Sequence, residues 1–295
     1  MSQAVAAPDH HLKGVLLVGG AAVLWSLGGL IVRSLDTADP WTTIFWRSVF
    51  ATAFLFGFIV LRDGRGTFRL FRDMGLPGLV LGLCFTAASV GFITALAFAS
   101  VAQTLVIMSS APLVAAVMGR IVLGERIMPA GYVAIIGVMA GIALMMSRDF
   151  GSEGSLIGGL IAFGIAVSLA GSVVIVRRWP HIRMTPATCT GAAIAIVVAF
   201  PFATPLAVSG HDFGLLVFFG AGQLGVGLIL LVTGARLIPA VLSSLLGMLE
   251  PILGPAWVWI LLGEKPGTMT LVGGGIVVAS VAAYTISMTW RRATR

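Results

Sequence analysis

The chain has 295 residues, of which 58% are hydrophobic and only 10% are charged, with a mean hydropathy of +1.07. Soluble domains carry about a quarter of their residues as Asp, Glu, Lys and Arg, so a globule of this length would lack the polar groups to cover its surface, and a soluble enzyme, a disordered chain and a disulfide-stapled secreted domain are excluded. A formal net charge of +7 at pH 7 would suggest nucleic acid only if the basic residues formed a patch.

A membrane-spanning helix needs about 20 mostly apolar residues, and ten such stretches follow one another between polar breaks. The first, Leu12–Val32, follows Lys13 like a signal peptide but is long and lacks a small-x-small cleavage site, so it is read as a helix; it carries Trp25. The second, Trp41–Leu61, enters after Asp39-Pro40 and holds Arg47, about 9 Å from its outer end at 1.5 Å per residue. The third, Gly75–Ala99, bears a small-polar stripe of Gly78, Gly82, Thr86 and Ser89, together with Phe85 and Cys84. The fourth, Ala102–Leu123, contains Pro112, and the fifth, Ala130–Met146, a Gly137/Gly141 pair. The sixth, Leu156–Val176, carries Phe163, the seventh, Thr185–Leu206, carries Cys189, and the eighth, Phe213–Gly234, has Gln223 at its middle. The ninth, Ala240–Leu262, holds Glu250, Pro251 and Pro255, and the tenth is Thr268–Met288. Both cysteines lie in apolar runs and read as packing residues.

With ten spans the termini share a face, and 14 of the 18 Lys and Arg residues fall on that face, three on the other and Arg47 within a span. Basic residues mark the cytoplasmic side of short loops, so both termini are expected in the cytoplasm. Charges spread over the loops of one face signal topology, and no nucleic-acid partner is implied.

Residues 94–126 and 233–265 align without gaps at an offset of 139: Pro112 matches Pro251, and Leu123-Gly124-Glu125-Arg126 matches Leu262-Gly263-Glu264-Lys265. The first and sixth spans also end alike, in Ile31-Val32-Arg33 and Ile175-Val176-Arg177. The expectation is an all-α membrane protein of two five-helix repeats, residues 1–150 and 151–295. Five being odd, the second repeat enters the membrane inverted, which places Arg126 in the cytoplasm and Lys265 outside. Inverted repeats give inward- and outward-open states of similar energy, the design of alternating-access carriers with a midplane site.

Ala97–Arg126, with Pro112 and its Leu-Gly-Glu-Arg exit, resembles the end of an EamA repeat of the drug/metabolite transporter superfamily; so do Arg236–Lys265, Trp25-Ser26 and Trp46-Arg47. The resemblance covers nearly the whole chain and is most like YddG-type amino-acid exporters. It implies a multi-pass inner-membrane carrier, with a central cavity lined by spans one, three, four, six, eight and nine, that exports small metabolites such as amino acids. The same repeats serve drugs and nucleotide sugars, which stand as the alternative, and a channel is a further one that flux measurements separate from a carrier.

Glu250 is the one acid deep in a span. An ionised group at the bilayer centre costs about 2.5–3.5 kcal/mol on insertion scales, so it either binds a substrate ammonium or a coupling proton, or is a structural group satisfied by neighbouring hydroxyls. Pro112 and Pro251 release the carbonyls of Met108 and Gly247, which makes Pro112, Gly247 and Pro251 candidate hinges, with fixed packing as the alternative. Gln223 suits zwitterion recognition or an interhelical bond, and Ser89 ends a stripe that is either packing or cavity wall. Trp25, Phe85 and Phe163 sit at a depth suited to an apolar side chain. Arg47 is read as structural, snorkelling or pairing with an interfacial acid such as Asp39, with a substrate carboxylate as the other reading. Trp41, Trp46 and Trp290 read as interfacial anchors. The four histidines (His10, His11, His181, His211) lie in the tail or loops, and no Walker A, GxSxG or Cys-x-x-Cys motif occurs, so no catalytic set, cofactor or metal site is expected.

Overall fold

The uniformly apolar runs become helices because hydrocarbon leaves the backbone no partner but itself. The computed structural model describes residues 8–36, 39–125, 127, 129–146, 153–180 and 183–293. Ten helical segments follow in chain order: α1 (Pro8–Ser26, continued by Gly28–Arg33), α2 (Pro40–Asp63), α3 (Gly75–Phe98), α4 (Val101–Met108 and Ala111–Val122) and α5 (Pro129–Met146), then α6 (Glu153–Arg178), α7 (Met184–Ala199), α8 (Gly210–Gly234), α9 (Ala240–Gly247 and Leu249–Leu262) and α10 (Thr268–Ala293). A short 3-10 turn, Gly64–Gly66, and the helix Thr67–Asp73 join α2 to α3. Eight segments are long and apolar enough to cross a membrane, and α5 and α7 are shorter apolar helices. No strand occurs among the described residues.

Two boundaries differ from the sequence expectation. α7 stops at Ala199, because Pro201 and Pro205 have no N–H to continue it; the segment beyond docks on α2, where Thr204 N donates to Thr42 Oγ1 (2.8 Å) and Trp46 Nε1 to the Pro205 carbonyl (3.1 Å). Pro112 and Pro251 do not kink continuous helices. α4 and α9 each break just before them, at Met108 and Gly247, 139 residues apart. Pro112 and Pro251 then fall in the first turn of Ala111–Val122 and Leu249–Leu262, where a missing N–H costs no helical bond.

α2 begins on an aspartate cap: Asp39 Oδ1 accepts from Trp41 N (2.8 Å) and Thr42 N (3.0 Å), and its Oδ2 accepts from Thr42 Oγ1 (2.6 Å) and Thr204 Oγ1 (3.2 Å). Partial burial pushes this carboxyl upward, but the bonds from Thr42, Trp41 and Thr204 outweigh it and hold it below the ordinary carboxylate range. Small residues bring the helices close. Gly82 lies against the Ala187 carbonyl, and Thr86 Oγ1 donates to the Gly191 carbonyl (2.8 Å), so this part of the α3 stripe packs on α7. Gly137 and Gly141 likewise seat α5 on Ser280, Gly273 and Val277 of α10.

Both Leu-Gly-Glu corners turn on a left-handed glycine, Gly124 at φ +69° and Gly263 at φ +74°, and a Cβ at either position would meet open space. The cost of a side chain there is therefore purely conformational. Gly124→Ala and Gly263→Ala should each destabilise by about 1–2 kcal/mol, read as thermal unfolding in detergent. Gly247→Ala, helical and also in open space, should be neutral or stabilise by up to about 1 kcal/mol; equal losses at all three positions would contradict this account.

Candidate functional site

Hydrocarbon cannot solvate an ion, so buried charge locates the site. Arg47 is 5% exposed. The α2 face carrying Ile44, Ser48, Ala51, Leu55 and Ile59 is buried against the other helices, and Arg47 shares it. Gly220 of α8 lies directly on the Arg47 backbone, a close approach that a larger residue would prevent. Arg47 makes no bond to Asp39, and the expectation of a snorkelling or interfacial pair is corrected: the guanidinium turns inward because Ser89 and Gln223 offer it oxygens there. Its Nη1 donates to Ser89 Oγ (2.9 Å) and its Nη2 reaches Gln223 Oε1 (3.5 Å). Its Cζ stands 4.4 Å from the Phe219 ring centroid and 5.9 Å from that of Phe92, a cation–π setting. Nε of Arg47 is buried with no hydrogen-bond partner among the described residues.

Gln223 belongs to a π-helical stretch, Phe218–Val226, inserted in α8. Such stretches are rare and frequent at functional sites. The wider coil aims the amide so that Nε2 donates to the Trp25 carbonyl (3.1 Å) beside the break in α1, while Oε1 faces Arg47. Gly28 makes room for both Gln223 and Phe92. Next to the same break, Trp257 Nε1 donates to Ser26 Oγ (3.0 Å), binding α9 to α1. The chain Ser89–Arg47–Gln223–Trp25 thus links α3, α2, α8 and α1 through one polar core.

Trp25 forms the wall between this core and a cavity of about 300 Å³ that also involves Leu105, Leu169, Glu250, Val281 and Thr285. All three candidate hinges, Pro112, Gly247 and Pro251, line it as well. The walls come from α1, α4, α6, α9 and α10, so α10 takes part whereas α3 and α8, expected on the wall, stand behind it. Glu250 occupies the first turn of Leu249–Leu262, where the helix dipole favours a carboxylate. No hydrogen bond to it and no ion pair within 4 Å occurs among the described residues, although Ser109, Ser244 and Thr285 share its wall. Arg47 is near enough for the two charges to act on each other.

The structure therefore places Trp25 and Glu250 on the cavity wall, and joins Ser89 and Gln223 behind it through Arg47. Phe85 packs between α3 and α7 beside Leu81 and Ala187, away from the cavity. Phe163 is 46% exposed and lines a separate apolar groove with Ile107 and Met139. Neither ring lines this cavity, because depth in the membrane does not decide which way a ring points. Arg47 is the residue whose inward placement the sequence reading missed. At one end of the bundle, His211 Nδ1 lies 3.5 Å from Asp36 Oδ2 and 3.4 Å from Asp212 Oδ1, three groups within 4.8 Å of one another that could ligate a cation. Asp212 Oδ1 already accepts from Asp36 N (3.0 Å), which accounts for its burial.

The sequence model of the EamA-like transporter family matches residues 12–147 and again 154–286. A protein described as the pseudopaline exporter CntI, found in two strains of Pseudomonas aeruginosa, is 25% identical over 283 residues, which cover 93% of this chain and 96% of that one. A solved crystal structure at 20% identity has a TM-score of 0.67 over 94% of this chain and 98% of its own, a likeness of fold.

Ser89→Ala should lower stability by about 1.5–3 kcal/mol, the range for a hydrogen bond to a charged group, because it strips Arg47 of its nearest acceptor. Ser168→Ala, whose exposed hydroxyl only bonds the Gly164 carbonyl of its own helix (2.9 Å), should stay within about 0.5 kcal/mol. Thermal unfolding of the two variants side by side checks this; equal effects would mean that the Arg47 bond contributes nothing.

Proposed function

Because the chain belongs to the EamA-like transporter family, we propose that it is a secondary transporter that exports a small zwitterionic metabolite of the amino-acid class, without ATP, by alternating access. One observation carries the substrate class: a carboxylate with no bonded partner among the described residues, Glu250, lies on the wall of a cavity that also offers the hydroxyls of Ser109, Ser244 and Thr285, while the buried guanidinium of Arg47 stands behind Trp25, unpaired with it. A substrate ammonium would meet Glu250. Its carboxylate would be drawn by Arg47 and by the positive N-terminal end of Ala111–Val122, which opens on the same cavity through Pro112 and, unlike its counterpart in α9, carries no acid. An apolar side chain suits the wall of Trp25, Leu105 and Leu169. At about 300 Å³ the cavity is at the small end of the ligand-site range of roughly 300–1,000 Å³, which favours an amino acid over a nucleotide sugar.

Residues 1–150 and 151–295 are read as two inverted five-helix repeats. Support comes from the double family match and from helix breaks at Met108 and Gly247, the same offset of 139 seen in the sequence. The excess of basic residues on the terminal face supports cytoplasmic termini and an inner-membrane location. Glu250 is also the site at which a coupling proton would bind. A second reading, export of another metabolite class, is favoured by the relative described as a pseudopaline exporter.

Proteoliposome flux of a radiolabelled panel (zwitterionic amino acids, their amides and their decarboxylated amines), with and without a pH gradient, tests the reading. Zwitterions should saturate and show trans-stimulation, which a pore would not. Glu250→Gln should lower their flux about ten-fold or more, in line with loss of a charge-assisted bond of roughly 1.5–3 kcal/mol, at unchanged protein abundance. Equal flux of amines and zwitterions, or an unaffected Glu250→Gln protein, would overturn the substrate assignment.

A further inference from the structure

The two matching helix ends and the two matching corners meet each other, and they do so crosswise. Arg33, closing α1, pairs with Glu264 of the second Leu-Gly-Glu corner (Nε–Oε2, 3.2 Å), and its Nη2 also donates to the Ala99 carbonyl (3.1 Å). Arg177, closing the similar sequence at the end of α6, pairs with Glu125 of the first corner (Nη1–Oε2, 3.0 Å). Each half supplies the arginine of one pair and the glutamate of the other.

The pairs lie at opposite ends of the bundle. In the chain Arg33 comes shortly before Asp39, at the start of the 24-residue helix α2, and Arg177 shortly before Arg183, which bonds Asp63 at the finish of α2 (2.8 Å); the helix separates the ends by about 36 Å. The cavity lies between them, walled by the helices whose ends the pairs join: α1 and α9 for Arg33–Glu264, α6 and α4 for Arg177–Glu125. The Arg183–Asp63 pair is of another kind. It joins α2 to α7, which are also tied at their other ends through Thr42 and Thr204, so neither of these helices is free to swing.

We propose that Arg33–Glu264 and Arg177–Glu125 are reciprocal latches, each closing one entrance to the central cavity, so that opening to either face breaks one pair and keeps the other. The proposal rests on the alternating-access reading and adds the residues that time it. Weak latches suit the role. The side chains of Arg33 and Glu264 are about one-third exposed, and those of Arg177 and Glu125 just under half. Pairs this open bias an equilibrium without locking it, and a carrier needs both states populated. The six-residue piece Gly28–Arg33 beyond the break in α1 can move separately, whereas α6 is continuous to Arg178, so the Arg33 gate moves as a short arm and the Arg177 gate with a whole helix.

The test uses one reporter, Ser109→Cys on the cavity wall, half-buried while both pairs are formed, in a Cys84→Ala, Cys189→Ala background. A membrane-impermeant maleimide is applied to either side of oriented proteoliposomes. Glu264→Gln should raise labelling from the Glu264 face about two- to five-fold, and Glu125→Gln should raise it from the Glu125 face by a similar factor, the range that roughly 0.5–1 kcal/mol supplies. Arg33→Glu combined with Glu264→Arg should return the rate to that of the parent. No change in either variant, equal changes from both faces, or failure of the charge exchange to restore the parent rate would overturn the latches. Labelling is read without transported substrate, so it stands apart from the flux assay: a protein with opposed labelling shifts but no zwitterion flux would keep the latches and lose the substrate assignment.

Discussion

Hydrocarbon does not solvate charge, and most of this structure follows from how few charges it keeps there and what each one meets. Arg47 is admitted to the core only because Ser89, Gln223 and the Phe219 ring receive it. That requirement fixes the α3 face that turns toward α2, the π-helical stretch that aims Gln223, and the glycines at 28 and 220 that let the groups approach. Glu250 is admitted on different terms. It sits at a helix N-terminus and faces a cavity, so its unmet bonding capacity is available to a solute. Arg47 keeps one unpartnered nitrogen, Nε, and Glu250 keeps an open carboxylate, the pair of features on which the proposed charge discrimination rests.

The same constraint works at the membrane surfaces, where charge is inexpensive and can be made and broken. Arg33–Glu264 and Arg177–Glu125 stand at the two ends of helices whose midsections wall the cavity. α2 and α7, tied at both ends, and α5 and α10, packed through glycines, form the scaffold of the proposed cycle, in which the other helices shift. Breaks in α1, α4 and α9 divide those helices near the cavity, so movement at one face need not be transmitted intact to the other.

Much of this was legible in the sequence, for identifiable reasons. Ten spans are visible because uninterrupted apolar length is a one-dimensional property, and α7 was drawn too long because Phe200, Phe202 and Leu206 are apolar while Pro201 and Pro205 end the helix. Pro112 and Pro251 marked where α4 and α9 are irregular because proline's backbone limits are local, although they open the second pieces of those helices and do not kink continuous ones. Direction around a helix is not local. Arg47 looked interfacial by depth alone, although Ser48 and Ala51 beside it hinted at a packed face; Phe85 and Phe163 had suitable depth but point elsewhere. The Ile-Val-Arg ends and Leu-Gly-Glu corners were each visible as repeats, yet their crosswise pairing depends on how the halves are arranged, which no single stretch of chain records.

The central claim is that the two halves cross the membrane in opposite senses around one cavity. Single cysteines at Arg126→Cys, which lies outside the described residues, and at Lys265→Cys, the equivalent position of the second corner, address it directly. Labelled in intact cells with an impermeant reagent, the Lys265→Cys protein should react from outside and the Arg126→Cys protein only after the cytoplasmic face is exposed. Reaction of both from the same face would contradict the inverted arrangement and the carrier mechanism built on it.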